Sequence, residues 1–294
     1  MKSGFVAIVG PTNVGKSTFM NQVLGFKLAI TSDKPQTTRN RLLGVYTEGD
    51  LQMAFVDTPG FHQARRALNK RMMEWALASL EDVDAILFMT DVSPKGMVAG
   101  EAAAKIVSRA GAPVVLALNK IDQMEEKAGL LPLLRQADSW GEWRSLVPIS
   151  ALKGDGAKAV IKELAAVLPE APPMFPADTV TDLPERFLVG ELVREKIFRL
   201  TGQEVPYSTA VTVDEFLEPQ EDGGRVAVTA TIHVETSGQK AILIGKGGAM
   251  IKRIGTEARQ DMQRLLGAQV FLDLFVRVEP KWSRRDSSLS KLGY

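Results

Sequence analysis

Cysteine is absent from the 294 residues, which rules out disulfides and thiolate metal sites together. Histidine is nearly as scarce. His62 and His233 are too few and too scattered for a zinc cage, so any metal must be a hard cation held by oxygens. No apolar run approaches the roughly 20 residues a membrane span needs, and the opening MKSGFVAIVG lacks a signal peptide's apolar region and small-residue cleavage site. A cytoplasmic protein is expected. Net charge is also small, +1, which argues against a nonspecific polycation. Internal repeats and low-complexity tracts are missing.

What is present is enough apolar residue, 45%, to fill the cores of about two domains. The runs 5–10, 53–58, 85–91, 114–120 and 146–150 are near-continuously apolar, as buried parallel strands are. Helical segments fit between them at 16–24, 66–80, 98–110, 124–138 and 157–168. The alternation predicts a doubly wound, mostly parallel α/β domain over residues 1–170. Five prolines crowd into 169–185 and forbid helix interior, so 171–184 reads as an extended connector. From 185 to 294 the order becomes α-β-β-α-α-β, a smaller α+β domain, with strands alternating near 210–216, 226–235 and 270–278 and helices at 239–244 and 249–266.

Charge is patchy in this second part. Gly238 to Arg264 holds six Lys/Arg against two acids, and Lys281 to Lys291 four against one, whereas Asp214 to Asp222 has five acids and no base. A basic face beside an acidic one can steer a polyanion onto a defined surface.

Two glycine turns carry the chemistry. Gly10, four residues, then Gly15-Lys16-Ser17 follows a predicted strand and opens a predicted helix, the context of a phosphate-binding loop. There the amides of Asn13, Val14, Gly15 and Thr18 surround phosphate oxygens, Lys16 spans the β- and γ-groups, and Ser17 offers its hydroxyl to Mg2+. NKID (119–122) ends another strand. Asp122 can accept from guanine N1–H and the 2-amino group, Lys120 can lie along the ring, and Asn119 can tie this loop to the first. In ISALKG, Ser150 and Ala151 turn backbone amides to the base oxygen, with Leu152 beside them. DTPG (57–60) places Asp57 near Mg2+ and the Gly60 amide near the γ-phosphate. The polar stretch 32–41 is a second switch-like loop, in which Thr38 is the preferred Mg2+ hydroxyl and Thr37 its competitor. Lys16, Asn13, Thr38 and Gly60 form the catalytic set.

In this order the elements resemble the translation-factor class of GTPases, the broad superfamily of Ras-like switches. Phe61 stands where Ras-like proteins carry the glutamine that orients water, so slow intrinsic hydrolysis is expected. Asn13 matches the asparagine that holds K+ in potassium-activated relatives, and reads equally as a loop-capping residue. His62 reads as a surface residue of the switch.

The second turn, Gly245-Lys246-Gly247-Gly248, joins two helices and has no Ser or Thr after its lysine. It cannot repeat the first chemistry. Within α-β-β-α-α-β it is the mark of a type II KH domain, whose turn meets the backbone of single-stranded nucleic acid. Lys240, Ile244, Lys252 and Arg253 flank it. Trp282 and Arg284 could stack and pair with RNA, though Trp282 could equally anchor the tail; DNA is not expected.

With QTTR (36–39), DTPGFH (57–62), QEVPYSTAV (203–211), SGQKAILIGKGGAMIKRIG (237–255) and the terminal KLGY (291–294), the chain resembles the Era family over its full length; Gly238 and Ala241 depart slightly. The resemblance implies a factor in which GTP controls grip on the 3′ end of small-subunit ribosomal RNA during assembly, with peripheral contact at the inner membrane. The competing reading is a GTPase whose second domain binds a protein or membrane. A small-molecule phosphotransferase would need an acceptor pocket and a lid, and NKID speaks against it.

Overall fold

The computed structural model describes every residue except 33, 35, 36, 59, 61–67, 69–71, 73, 75–79, 81, 203, 220, 222, 223, 293 and 294. Phe61, His62 and most of the helix expected at 66–80 therefore lie outside the described residues. Two compact units result. The first holds Met1–Ala29 and most of the chain from Thr38 to Asp182; the second holds Ile30–Thr37 and the chain from Leu183 onward.

The first unit has the element order β1 (Lys2–Val9), α1 (Lys16–Leu24), β2 (Leu42–Glu48), β3 (Leu51–Asp57), β4 (Ala85–Asp91), α2 (Pro94–Val107), β5 (Val114–Asn119), α3 (Leu130–Asp138), β6 (Ser145–Pro148) and α4 (Ala157–Val167). The sheet order is β2-β3-β1-β4-β5-β6, parallel except for β2 against β3. β4 and β5 are buried throughout, which is why they read as unbroken apolar runs. One face packs Ala7, Val9, Ile86, Phe88, Leu116 and Leu118 against α2 and α3. Elsewhere Phe19 of α1 meets Phe55 edge to face, 6.3 Å between centroids.

Three details depart from the sequence reading. β2 was not expected; it pairs antiparallel with β3 through the Gly49-Asp50 turn, where Gly49 has φ 56, as tight hairpins require. The helix expected at 98–110 begins at Pro94, because Ser93 caps it by accepting from Gly96 N (3.0 Å) and proline suits a first helical position. The helix expected at 124–138 begins at Leu130, since Pro132 tolerates only a first turn.

The proline-rich stretch is extended and lies against the sheet. Val45 N donates to Val180 O (2.8 Å), Thr181 Oγ1 to Leu43 O (2.6 Å), and the Gln52 amide oxygen takes the Met174 and Phe175 amides (2.7 and 2.9 Å).

The second unit runs α5 (Glu185–Leu200), β7 (Thr209–Leu217), β8 (Arg225–Val234), α6 (Ser237–Ile244), α7 (Ala249–Leu266), β9 (Gln269–Val278) and α8 (Asp286–Lys291). β8 is central, antiparallel to β7 and parallel to β9. Val189, Leu192, Val193 and Ile197 of α5 join Leu243, Ile254, Ala258 and Met262 over the inward residues of the sheet. His233 is a satisfied sheet residue, 2.9 Å from Thr212 Oγ1 and 3.1 Å from Glu279 Oε2. Burial, opposed by Glu279, holds its pKa below the ordinary value.

Candidate nucleotide and RNA sites

The carboxyl ends of β1, β3, β4 and β5 converge on one edge of the first sheet, where β1 lies between β3 and β4. Open α/β sheets bind ligands at such a switch point. Gly10 (φ 147) and Gly15 (φ 101) are both required: a Cβ would stand 2.1 Å from Met89 O at the first and 2.2 Å from Asn119 Nδ2 at the second. The Lys16 ammonium is folded onto the loop, donating to Gly10 O (3.1 Å) and Pro11 O (2.8 Å). Burial lowers its pKa to about 8 against the pull of Asp57. Val14 is buried, Thr18 half-buried, and Asn13 exposed at the loop tip with φ 64.

Ser17, Thr38 and Asp57 meet. Ser17 Oγ is 2.8 Å from both Asp57 Oδ2 and Thr38 Oγ1, and Thr38 Oγ1 is 3.4 Å from Asp57 Oδ2. Burial raises the Asp57 pKa, opposed by Lys16 and by the two hydroxyls. Its other oxygen, Oδ1, is buried and finds no hydrogen-bond partner among the described residues. An all-oxygen cluster around a buried carboxylate fits a hard divalent cation, and its positive charge would favour the ionised form of Asp57. Thr37 faces elsewhere: its hydroxyl donates to Lys34 O (2.7 Å) and its carbonyl accepts from Arg194 Nη2 (2.6 Å). Gly60 is buried against the phosphate loop, where a Cβ would lie 2.8 Å from the Thr12 backbone.

At the neighbouring strand ends, Asn119 is a strut. Its Nδ2 donates to Val14 O (2.7 Å) and its Oδ1 accepts from Ala151 N (2.9 Å). Lys120 takes φ 65 and its ammonium pairs with Asp91 at 2.7 Å. Asp122 Oδ1 accepts from Ser150 Oγ (2.6 Å). The Ser150 amide donates to Asp155 O (3.0 Å) and the Ala151 amide to Asn119 Oδ1 (2.9 Å), contacts that close the loop; Leu152, 72% exposed, stands at the rim. Asp91 was missed. Its signal was its register opposite Asn119 at the ends of β4 and β5, which sequence spacing does not reveal.

In the second unit a capping box starts α6: Thr236 Oγ1 accepts from Gln239 N (3.2 Å) and Gln239 Oε1 from Thr236 N (3.1 Å). The turn after it holds Gly245, Gly247 and Gly248 at φ 71, 59 and 80. Their roles differ. A Cβ at Gly245 would stand 2.8 Å from Met250 Cβ, whereas Gly247 and Gly248 face open space. Lys246, Lys252 and Arg253 are exposed and Lys240 half-buried; Arg253 pairs with Glu257 at 3.0 Å. Ile244 is half-buried and Ile242 is 50% exposed. Arg284 is exposed. Trp282 is corrected: it is fully buried and its indole N–H donates to Ser208 O (3.0 Å), so it anchors the tail and presents no ring face to a base.

Comparison with known proteins follows the same division. A family model described as 50S ribosome-binding GTPase matches residues 5–120, and one for the KH domain matches 204–283. GTPase Era of Geobacter metallireducens is 48% identical over 293 residues, covering 100% of this chain and 98% of that one; GTPase Era of Geobacter sp. strain M21 is 50% identical over 301 residues, with the same coverage. Among solved structures, a variant of Aquifex aeolicus Era bound to GDP·AlF4− superposes with TM-score 0.93 at 41% identity, covering 100% of this chain and 99% of that one. A second, Era in complex with MgGDPNP and nucleotides 1506–1542 of 16S ribosomal RNA, gives TM-score 0.94 at 41% identity and the same coverage. With a phosphate loop, a hard-cation cluster and a guanine-type loop on one sheet edge, a glycine turn between α6 and α7, and near-half identity from end to end, this chain belongs to the Era family of GTPases.

Proposed function

We propose that this chain is a slow GTPase switch whose second unit grips single-stranded RNA at the 3′ end of small-subunit ribosomal RNA during subunit assembly. The observation that carries the RNA half is the pair Gly247 and Gly248, held at left-handed φ, open to solvent, and set among Lys246, Lys252 and exposed Ile242. A backbone without side chains beside cations is what a sugar-phosphate chain needs in order to approach. The choice of subunit follows the Era structure solved with 16S nucleotides, which matches the whole chain; the family model that speaks of 50S covers residues 5–120 alone. Acting on that RNA, the protein works in the cytoplasm.

In the first unit Lys16 and the loop amides bind and orient the triphosphate, and Ser17, Thr38 and Asp57 hold Mg2+, which supplies charge neutralisation between the β- and γ-groups. Hydrolysis is slow because Phe61 offers no polar group to position water. Coupling to RNA starts at Thr38. The residues just before it are tied to α5: Thr31 N donates to Glu195 Oε1 (3.0 Å), the Lys34 ammonium to the Phe198 and Thr201 carbonyls, and Arg194 to Thr37 O. Movement of Thr38 with loss of the terminal phosphate would therefore pull directly on the helix that packs against α7.

The test is a titration of the full chain with an RNA of the 16S 3′ sequence, in GDPNP and in GDP. Substituting Gly247→Asp and Gly248→Asp is expected to weaken binding about tenfold to a hundredfold, since each new carboxylate opposes a phosphate. Gly247→Asn and Gly248→Asn, which tolerate left-handed φ without charge, should retain most of the affinity. Equal affinity for the Asp variant would overturn the proposal and favour a second domain that binds a protein or a membrane.

A monovalent cation belongs to the same proposal, supported by Asn13 at the exposed tip of the phosphate loop. GTP turnover is expected to be about tenfold or more faster in KCl than in NaCl. Asn13→Ala should erase the difference, and equal rates in the two salts would remove K+ from the mechanism.

A further inference from the structure

The sheet of the second unit has two faces, and helices cover one. Val226, Val228, Ile232 and Val234 of β8, with Val270, Leu272, Leu274 and Val276 of β9, point into that core. Strand alternation turns the residues between them outward. On β9 these are Phe271, Asp273, Phe275 and Arg277, all exposed. Phe271 is 57% and Phe275 53% exposed, and Leu217, which shares a register row with Ala227 and Phe271, is 58% exposed. Two phenylalanines more than half exposed on one sheet face form a clustered apolar surface, and exposure of this kind marks an interaction site.

A bulge sets the charge of the face. The register of β7 shifts between Val213 and Glu215. The extra residue lets both Asp214 and Glu215 serve the outer side: Glu215 lies opposite Thr229, and Asp214 accepts from Thr231 Oγ1 (2.6 Å) and Thr212 Oγ1 (3.3 Å). Asp273 stands between the two phenylalanines on β9, Arg277 is a cation beyond Phe275 on the same face, and Glu218 continues the acidic run beyond β7. The cations proposed for RNA belong to α6, α7 and the turn between them, and both helices pack on the opposite face. Phosphates would be repelled here.

We propose that this open face docks a basic protein segment: an extended stretch whose sheet-facing residues, every second one along its chain, alternate between apolar and lysine or arginine. Phe271, Asp273 and Phe275 follow one another at about 7 Å along β9, and a strand-like partner repeats at the same spacing. Its apolar side chains cover the phenylalanines while its cations meet Asp273, Asp214 and Glu215. Exclusion of water by the aromatic contacts strengthens the ion pairs beside them.

The experiment uses the full chain and a fluorescein-labelled peptide repeating Val-Ser-Lys-Ser, which places valine and lysine in turn on one side of the extended chain, matched to β9 in length and followed by anisotropy. Binding is expected to weaken about tenfold or more with Phe271→Ser and Phe275→Ser together, and comparably with Asp273→Lys alone, which leaves the aromatics in place. A peptide with glutamate for lysine should not bind. Affinity for the 16S oligonucleotide and the rate of GTP hydrolysis should be unchanged in all variants, which separates this docking from the RNA reading above. Equal peptide affinity in the variants overturns the proposal. So does a loss of oligonucleotide affinity, which would give the face to RNA, or self-association of the parent chain that the Phe271/Phe275 variant abolishes, which would give it to a second copy.

Discussion

Replacing Lys16 by methionine is expected to remove about 3–5 kcal/mol of GTP affinity, a loss of some hundredfold to several thousandfold, without unfolding the first unit. The ammonium is buried, and burial brings its pKa from 10.5 to about 8. The folded value lies below the unfolded one, so between pH 8 and pH 10.5 the unfolded chain binds more protons. Stability of the nucleotide-free protein therefore rises with pH across that window, and below it the cost of the buried charge is fully present. Methionine keeps the stem and removes the charge, so the empty variant should melt no lower than the parent at pH 7. Triphosphate binding restores the partner that burial took away and pulls the lysine back to full protonation. At pH 8 the parent should take up about half a proton from this group on binding GTP; the variant should take up none at that position. Calorimetry in buffers of different ionisation enthalpy reads both quantities. A variant that bound GTP as tightly as the parent would remove Lys16 from the phosphate site.

What sequence made legible, and what it did not, divides along physical lines. Both glycine turns could be read because backbone conformation dictates composition locally: Gly10 and Gly15 are closed in by protein atoms, and Gly247 and Gly248 sit at left-handed φ facing solvent. The buried strands of the first sheet were legible because burial on both faces leaves an unbroken apolar string. β2 was not, since an edge strand with Tyr46, Thr47 and Glu48 half in water carries a weak signal. Nor could sequence decide the fate of Trp282, because an aromatic among cations looks alike whether it stacks on a base or, as here, is locked to Ser208. Side chains that act through register or through distant pairing, Asp91 on Lys120 and Arg194 on Thr37, have no local pattern at all. The hydrogen bonds of the Ser150 and Ala151 amides were not legible for a related reason: their partners, Asp155 and Asn119, are fixed by loop closure and not by spacing.

The same loop closure sharpens the second large effect. Asp122→Asn is expected to weaken guanine nucleotides by about 3 kcal/mol and to strengthen xanthine nucleotides by a similar amount, a swing in selectivity of roughly 10⁴. A carboxylate offers two acceptors to the two donors of guanine, N1–H and the 2-amino group, and such charge-assisted bonds contribute about 1.5–3 kcal/mol each. An amide keeps one acceptor and turns the other into a donor. Ser150 decides which way it turns. Its hydroxyl donates to Asp122 Oδ1 at 2.6 Å, so in the variant the amide oxygen stays with Ser150 and the NH2 group occupies the position of Oδ2. There it opposes the guanine donors and matches the 2-oxo group of xanthine. Removing the director as well, in Asp122→Asn with Ser150→Ala, frees the amide to flip and should return part of the guanine affinity while reducing the gain for xanthine. Competition titrations of GDP and XDP against a fluorescent nucleotide measure the swing in all three proteins. Unaltered guanine preference in the single variant would sink the assignment of Asp122, and identical behaviour of the single and double variants would show that Ser150 holds the loop without orienting the carboxylate.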